Sequence, residues 1–446
     1  MTYRDVVIFV TILALLPRAF LQPFFGLLLF SWLAYMRPHD LCWGFAKEWR
    51  YSLYCAILMY SGWALFERRR FTRFGAPIAW ASIFLLFTTI SLLNAATETG
   101  SRQFGKYFEL LKVFSVTYFT IGMIDTKSRL EKIIWVITVS LGFYGVKCGL
   151  FGLLRGGRIL QGPGGMMMDN NDLCLAMAMN IPLLFFMGRQ SGKRWVYRSC
   201  LIAIALTCVT VVCTLSRGGI LSTCLVGVLM LYKLKRRILP WLVMGAIAAA
   251  TPVLLPKDVK ARLATLQNPA QEGSAAGRMH AWRVGMRMIA DHPLLGVGFE
   301  GFLRNFRRYD PIDERLRFDV RDARVAHNTY LQVWAELGTF ALIAFLGMLF
   351  STLRWLRRAR RMAKVRDGPS WIASYADMFE VCFIGFMFGA NFLNRAHFDL
   401  LYHLVAIAMA FVFVARREIA EVEAAAATAE PRGPAPAARP ALAGYR

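Results

Sequence analysis

The chain has 446 residues, 57% hydrophobic and 14% aromatic, with a mean hydropathy of +0.44, against about 45–50% apolar content in soluble domains. Lys and Arg number 53 against 28 Asp and Glu, a net charge of +25, but the basic residues fall in short clusters between apolar runs and form no single solvated surface. That pattern excludes a soluble enzyme, a nucleic-acid-binding domain, a disulfide-rich secreted domain and a β-barrel, and it fits a polytopic membrane protein with a positive-inside bias.

Apolar runs near the ~20 residues needed to span a bilayer lie at 48–66, 76–94, 105–123, 129–154, 171–188, 195–215, 217–232, 238–255, 328–353, 374–394 and 397–414. Ahead of them, the stretch 6–36 is interrupted by Pro17, Arg18 and Pro23 and reads either as one broken crossing or as a pair of short helices. It lacks a small-residue cleavage site and is expected to be retained. The expected fold is an all-α polytopic membrane protein with about 12 transmembrane helices and one large periplasmic, mostly helical loop. Residues 1–255 form the N-terminal helices, 256–327 the loop domain, 328–415 the C-terminal helices and 416–446 a disordered, Ala/Pro-rich cytoplasmic tail.

Basic clusters set the orientation: Arg68–Arg73, Lys127–Lys132, Arg189–Arg198, Lys233–Arg237 and Arg354–Arg366 are separated by even numbers of crossings and mark cytoplasmic turns. Segments 155–170, 216–219, 256–327 and 395–397 then face the periplasm, in a multi-pass protein of a bacterial inner membrane. Within the long loop, GRMHAWRVGMRMIADHP reads as an amphipathic helix stopped at His292-Pro293.

Three periplasmic features offer chemistry. Ser216-Arg217-Gly218-Gly219 is a turn whose arginine defies the positive-inside trend and whose glycines allow close approach to a ligand; a tight turn with a snorkelling arginine is the other reading. On the loop helix Arg278 and Trp282 share a face, and Arg283 and Arg287 another, so guanidinium forks could meet phosphates with Trp282 in the membrane interface; a plain amphipathic surface helix is the alternative. His327 stands where the loop re-enters the membrane, suited by its ordinary pKa to proton transfer or, more simply, to capping; Asn328 beside it could be a helix N-cap.

Gly296-Val297-Gly298-Phe299-Glu300-Gly301 matches GxGxxG, but no strand precedes it and no βαβ pattern surrounds it, so these glycines are expected to shape a turn beneath the arginine-bearing helix. The six histidines form no HxxxH or HExxH pair, so no metal site is expected. The nine cysteines form no CxxC pair and read as small core hydrophobes.

SRGG, then GRxxxW with the following HPLLGVGFEGF, then AHNTYLQVWAELG resemble, in order and spacing, the O-antigen ligase and polymerase superfamily over roughly residues 165–415. The N-terminal AYMRPHDLCWGF resembles a subgroup of O-glycosylation ligases linked to exosortase systems. The resemblance implies a metal-independent glycosyltransferase, with no cofactor, that moves a glycan from undecaprenyl diphosphate to an acceptor hydroxyl in the periplasm. The acceptor is lipid A-core in O-antigen ligases, another lipid-linked glycan in polymerases and a protein in O-glycosylation ligases. Carried over by position, Arg217 and Arg278 bind diphosphate and His327 is the catalytic residue; Arg283 is added from helix geometry, with Ser216, Gly218, Gly219, Trp282 and Asn328 in support. Partners are then the lipid-linked donor, the acceptor and membrane lipids, with no nucleic acid. A lipid-linked glycan transporter is the reading from another class, resting on Glu109, Lys112 and Lys147 within apolar runs, although Glu109 and Lys112 are spaced to pair with each other.

Overall fold

The computed structural model describes residues 3–67, 74–95, 100–155, 157–234, 273–310, 323–366 and 368–429. The expected crossing at 238–255, the basic residues at 68–73 and 235–237, and parts of the long loop lie outside these residues.

The N-terminal stretch is the pair of helices, α1 (Tyr3–Leu21) and α2 (Pro23–Tyr35). Pro23 opens α2 where a missing N–H costs nothing. Helix α3 (Tyr51–Phe66) runs beside α1 in the same direction, Phe9 touching Tyr51 near one end and Phe20 touching Phe66 near the other. The intervening α2 therefore returns antiparallel to both. Close approach of these helices depends on glycine: a Cβ on Gly62 would collide with the carbonyl of Phe20.

The alternation continues through α4 (Ala76–Leu93), α5 (Ser101–Met123), α6 (Lys127–Arg155), α7 (Asn170–Gln190), α8 (Arg194–Cys213) and α9 (Arg217–Leu234). A two-stranded antiparallel hairpin, β1 (Gln161–Gly164) and β2 (Met167–Asp169), joins α6 to α7 and marks what we call the hairpin end of the bundle. Two further helices there, α10 (Gly273–Asp291) and the short α11 (Phe302–Tyr309), precede α12 (Thr329–Val365), α13 (Ser370–Gly389) and α14 (Asp399–Ala429). Turns at the hairpin end are tied by Ile159 N–H to the Cys213 carbonyl and Thr329 N–H to the Ala390 carbonyl; the opposite, basic end is tied by Arg129 to Glu67 and Lys233 to Asp377. The core follows α7 and the first half of α14, both almost wholly buried.

Among the described residues seven helices are long and apolar enough to cross a membrane: α4, α6, α7, α8, α12, α13 and α14. The other described helices fall outside that measure: α2 and α3 have only 13 and 16 residues, and α1 and α5 carry several charges, Arg4, Asp5 and Arg18 in one, Arg102, Lys106, Glu109 and Lys112 in the other, while α9 ends at the edge of the described residues and the expected crossing at 238–255 lies outside them. One correction concerns the tail. Helix α14 continues to Ala429, past the expected start of disorder at 416, because the Ala-rich segment is a strong helix former and Arg417 pairs with Glu421 one turn on at 3.2 Å; residues 430–446 lie outside the described ones.

Helix α12 is broken at Gly338, which has φ +82°. The 293–301 loop fills the break: the N–H groups of Val297 and Gly298 donate to the carbonyls of Ala335 and Glu336 at 2.9 and 3.0 Å, and Thr339 N–H donates to Pro293 at 2.9 Å. The GxGxxG stretch is therefore a plug for an interrupted helix. A Cβ on Gly296 would meet the Glu336 backbone, and one on Gly338 the Leu294 carbonyl. The Glu336 carboxylate adds to the clamp, accepting from Phe302 N–H at 3.0 Å and from Gln332 Nε2 at 3.2 Å.

Candidate functional site

Arg217 is the first residue of α9, reached through Leu215 in the left-handed region at φ +55°. Ser216 caps the helix: its Oγ accepts from Gly219 N–H at 3.2 Å and donates to Asn171 Oδ1 at 2.7 Å. The sequence suggested that the two glycines allow close approach to a ligand; in the structure each is crowded by a neighbouring helix or turn. A Cβ on Gly218 would strike Phe392 and one on Gly219 would strike Cys174 Sγ, so both are small because α9 starts hard against its neighbours.

Arg278 lies half-buried on α10 within electrostatic reach of Arg217; burial first, and the Arg217 charge second, lower its pKa from the usual arginine value. Arg324 approaches the same helix, its guanidinium lying over Gly277, where no Cβ would fit. Trp282 donates from Nε1 to the Ala326 carbonyl at 2.8 Å and so draws the chain ahead of His327 onto α10. On the other side, Asn328 N–H donates to Asn394 Oδ1 at 3.2 Å and Thr329 Oγ1 donates to the Leu393 carbonyl at 2.6 Å. Pinned between these anchors, His327 adopts φ +47°, a strained conformation for a residue with a Cβ. Asn328 is also the N-cap of α12, accepting from Tyr330 and Leu331 N–H at 3.0 and 3.1 Å.

Burial lowers the pKa of His327 from its usual 6.5, and Arg278 lowers it further, as do Arg324 and Arg395, with Asp169 opposing. Those charges show what surrounds the imidazole. Arg395, in the turn between α13 and α14, forms a two-pronged pair with Asp172 at the start of α7, while Asp172 N–H donates to Asp169 Oδ1 at 2.8 Å. Neither Arg395 nor the two aspartates figured in the sequence reading. Asp169 and Asp172 look like an ordinary capping box, which they also are, and the pairing with Arg395 spans more than 200 residues of chain.

The structure thus brings Arg217, Arg278, Trp282, His327 and Asn328 together at the hairpin end. It does not bring Arg283 to them: that residue is exposed on α10, about 140° around the helix from Arg278, and is not among the charges acting on His327 or Arg278. Glu109 pairs with Lys106 at 2.8 Å and not with Lys112. Among the described residues no group of three His, Cys, Asp or Glu side chains is placed to hold a metal ion. From Asn328, an apolar groove of about 650 Å³ descends between α9, α12 and α13, lined by Leu331, Trp334, Leu346, Phe350, Leu353 and Ile384 among others.

Fold and site together define a multi-pass helical membrane protein with a histidine set among arginines at one end of its bundle, next to an apolar groove. Residues 202–346, which hold Arg217, Arg278 and His327, match the family model described as O-antigen ligase, so this segment is similar to that family. Residues 3–192 match a second model, described as a family of unknown function (DUF5935). No curated protein matches the chain.

Proposed function

We propose that the protein is an O-antigen ligase, an inverting, metal-independent glycosyltransferase that moves a glycan from undecaprenyl diphosphate to a hydroxyl of lipid A-core. The hairpin end faces the periplasm of a bacterial inner membrane, because Lys127, Arg129, Lys132, Arg189, Arg194, Lys233 and Arg357 gather at the opposite end, where positive charge is retained in the cytoplasm. The observation that carries this reading is the juxtaposition of Arg217 and Arg278, like charges held near each other, with Arg278 in turn beside a histidine whose neutral form is favoured by burial first and by Arg278, Arg324 and Arg395. An anion of two phosphates relieves that repulsion.

The donor's polyisoprenyl chain lies in the groove below Asn328, and its diphosphate rises between Arg217 and Arg278. The arginine forks stabilise the charge that grows on the departing phosphate, which is a contribution made mainly in the transition state. Neutral His327 takes the proton of the acceptor hydroxyl as it attacks the anomeric carbon, worth about 10²–10⁴-fold as general base. Arg395, held by Asp172, keeps a further positive charge facing His327, which opposes premature protonation of the imidazole.

Full-length protein in lipid nanodiscs, given an undecaprenyl-diphosphate-linked glycan and lipid A-core, should produce glycosylated lipid A-core and free undecaprenyl diphosphate without added divalent metal. Transfer to a Ser/Thr peptide and not to lipid A-core would move the protein to the O-glycosylation branch, and elongation of the donor itself would make it a polymerase.

A further inference from the structure

The loop that follows α2 reaches the hairpin. Arg37, near its start, lies in the left-handed region at φ +45°, a strained backbone for a residue with a Cβ. Two contacts impose that shape. The Tyr144 hydroxyl on α6 donates to the Met36 carbonyl at 2.6 Å, and in the short 3-10 turn Pro38–Leu41 the Asp40 N–H donates to the Arg37 carbonyl at 3.0 Å. Arg37 Nε also donates to the Asp40 carboxylate, so the two half-buried side chains act as one unit.

That unit sits on the turn of the hairpin. Gly164 and Gly165 have φ +102° and +58°, which suits glycine, and space requires it as well. A Cβ on Gly165 would collide with the Arg37 guanidinium, and one on Gly164 would press on the Asp40 carboxylate. From this turn β2 leads to Asp169, which pairs with Gln161 of β1. Asp169 accepts from Asp172 N–H at 2.8 Å and lies 3.7 Å from Arg395, whose fork is taken by Asp172. Its side chain is half exposed, so the strand beneath it decides where it points. With Arg278, Arg324 and Arg395, Asp169 is one of the charges that face His327.

We infer that Arg37 is a positioning residue for the transfer reaction: with Asp40 it braces the hairpin turn and so keeps Asp169 beside Arg395 and facing His327. The inference rests on the reading of His327 as the base. Both ends of the brace fall within residues 3–192, whose family match carries no function, and the brace gives that segment a task in the site. A strained residue persists where its surroundings over-determine it, and here they aim a guanidinium at the hairpin. Arg37 is not itself among the charges acting on His327, so it works through the hairpin. The two routes differ in sign. Direct loss of a nearby cation would raise the histidine's pKa, whereas releasing Asp169, the one charge that raises it, lowers it.

Transfer by full-length protein in nanodiscs, measured across pH at saturating donor and acceptor, tests this. Asp169→Asn keeps the helix cap and removes the charge, and its acidic limb should move to lower pH. In Arg37→Ala the limb should move the same way, and the double variant should move no further than Asp169→Asn, because the brace acts through that one carboxylate. At the pH where the wild type runs at half its plateau rate, each variant should keep more than half of its own. Gly165→Ala displaces the guanidinium from the other side, and it carries the test if Arg37→Ala accumulates poorly. A limb in Arg37→Ala and Gly165→Ala that stays in place or moves to higher pH overturns the positioning role, as does an unmoved limb in Asp169→Asn, and all of these leave the base standing. Wild-type turnover in His327→Gln instead removes the base and the inference with it.

Discussion

At the basic end of the bundle, Lys233, Arg357 and Arg360 converge on Asp377 and Glu380: Lys233 to Asp377 at 2.8 Å, Arg357 to Glu380 and Arg360 to Asp377 each at 2.6 Å, and Lys233 also to Glu380. At the hairpin end, Arg278 has no carboxylate partner among the described residues and instead faces the charge of Arg217. The bundle thus uses clustered cations in two ways. Where they are matched with carboxylates, they staple α9, α12 and α13 together. Where Arg278 is left to face another arginine, the cluster is poised for an anion that arrives from outside.

The sharpest way to break this contrast is at the hairpin end. His327→Gln should lower transfer by about 10²–10⁴-fold with normal folded yield, read from turnover and from thermal unfolding in parallel; wild-type turnover would reduce His327 to a positioning residue. At the basic end the signature should invert. Glu380→Ala takes the carboxylate from Arg357 and leaves Lys233 and Arg360 with Asp377 alone, and should cost about 1–3 kcal/mol of stability, seen as early unfolding, while surviving protein transfers normally. Gly338→Ala should cost about 1–3 kcal/mol from its left-handed backbone alone, and more from collision with the Leu294 carbonyl, again on unfolding.

Arg278→Lys keeps charge and loses the planar fork, so transfer should fall at least about tenfold; equal activity would make the contrast one of charge alone. The smallest effect is pH. Because burial and neighbouring arginines lower the His327 pKa below 6.5, the base is more than half neutral at that pH and becomes fully so as the pH rises above it. Transfer should be flat there and decline only in more acidic solution, as the imidazole takes up a proton.

The transmembrane runs were legible because apolar length is a local property, and α4, α6 and α8 fall within a few residues of where hydropathy puts them. Whether 6–36 crossed once or returned was not legible, since only the contacts of Phe9 and Phe20 with α3 decide it. Arg217, Arg278 and His327 could be found from short motifs. Arg395 could not, because nothing local distinguishes it from an interfacial arginine until Asp172 is seen to hold it. Arg283 shows the converse: helix periodicity said which residues share a face with it, but not which face turns toward the site.

The interlock between Gly338 and the 293–301 loop bears on how such a chain can be altered. Because α10 and α11 are docked into a gap in α12, bonded through Val297, Gly298 and Pro293, and because Trp282 on α10 also holds the chain ahead of His327, a change at Gly338 would be transmitted to the spacing of Arg278 and His327, two residues that do not touch it.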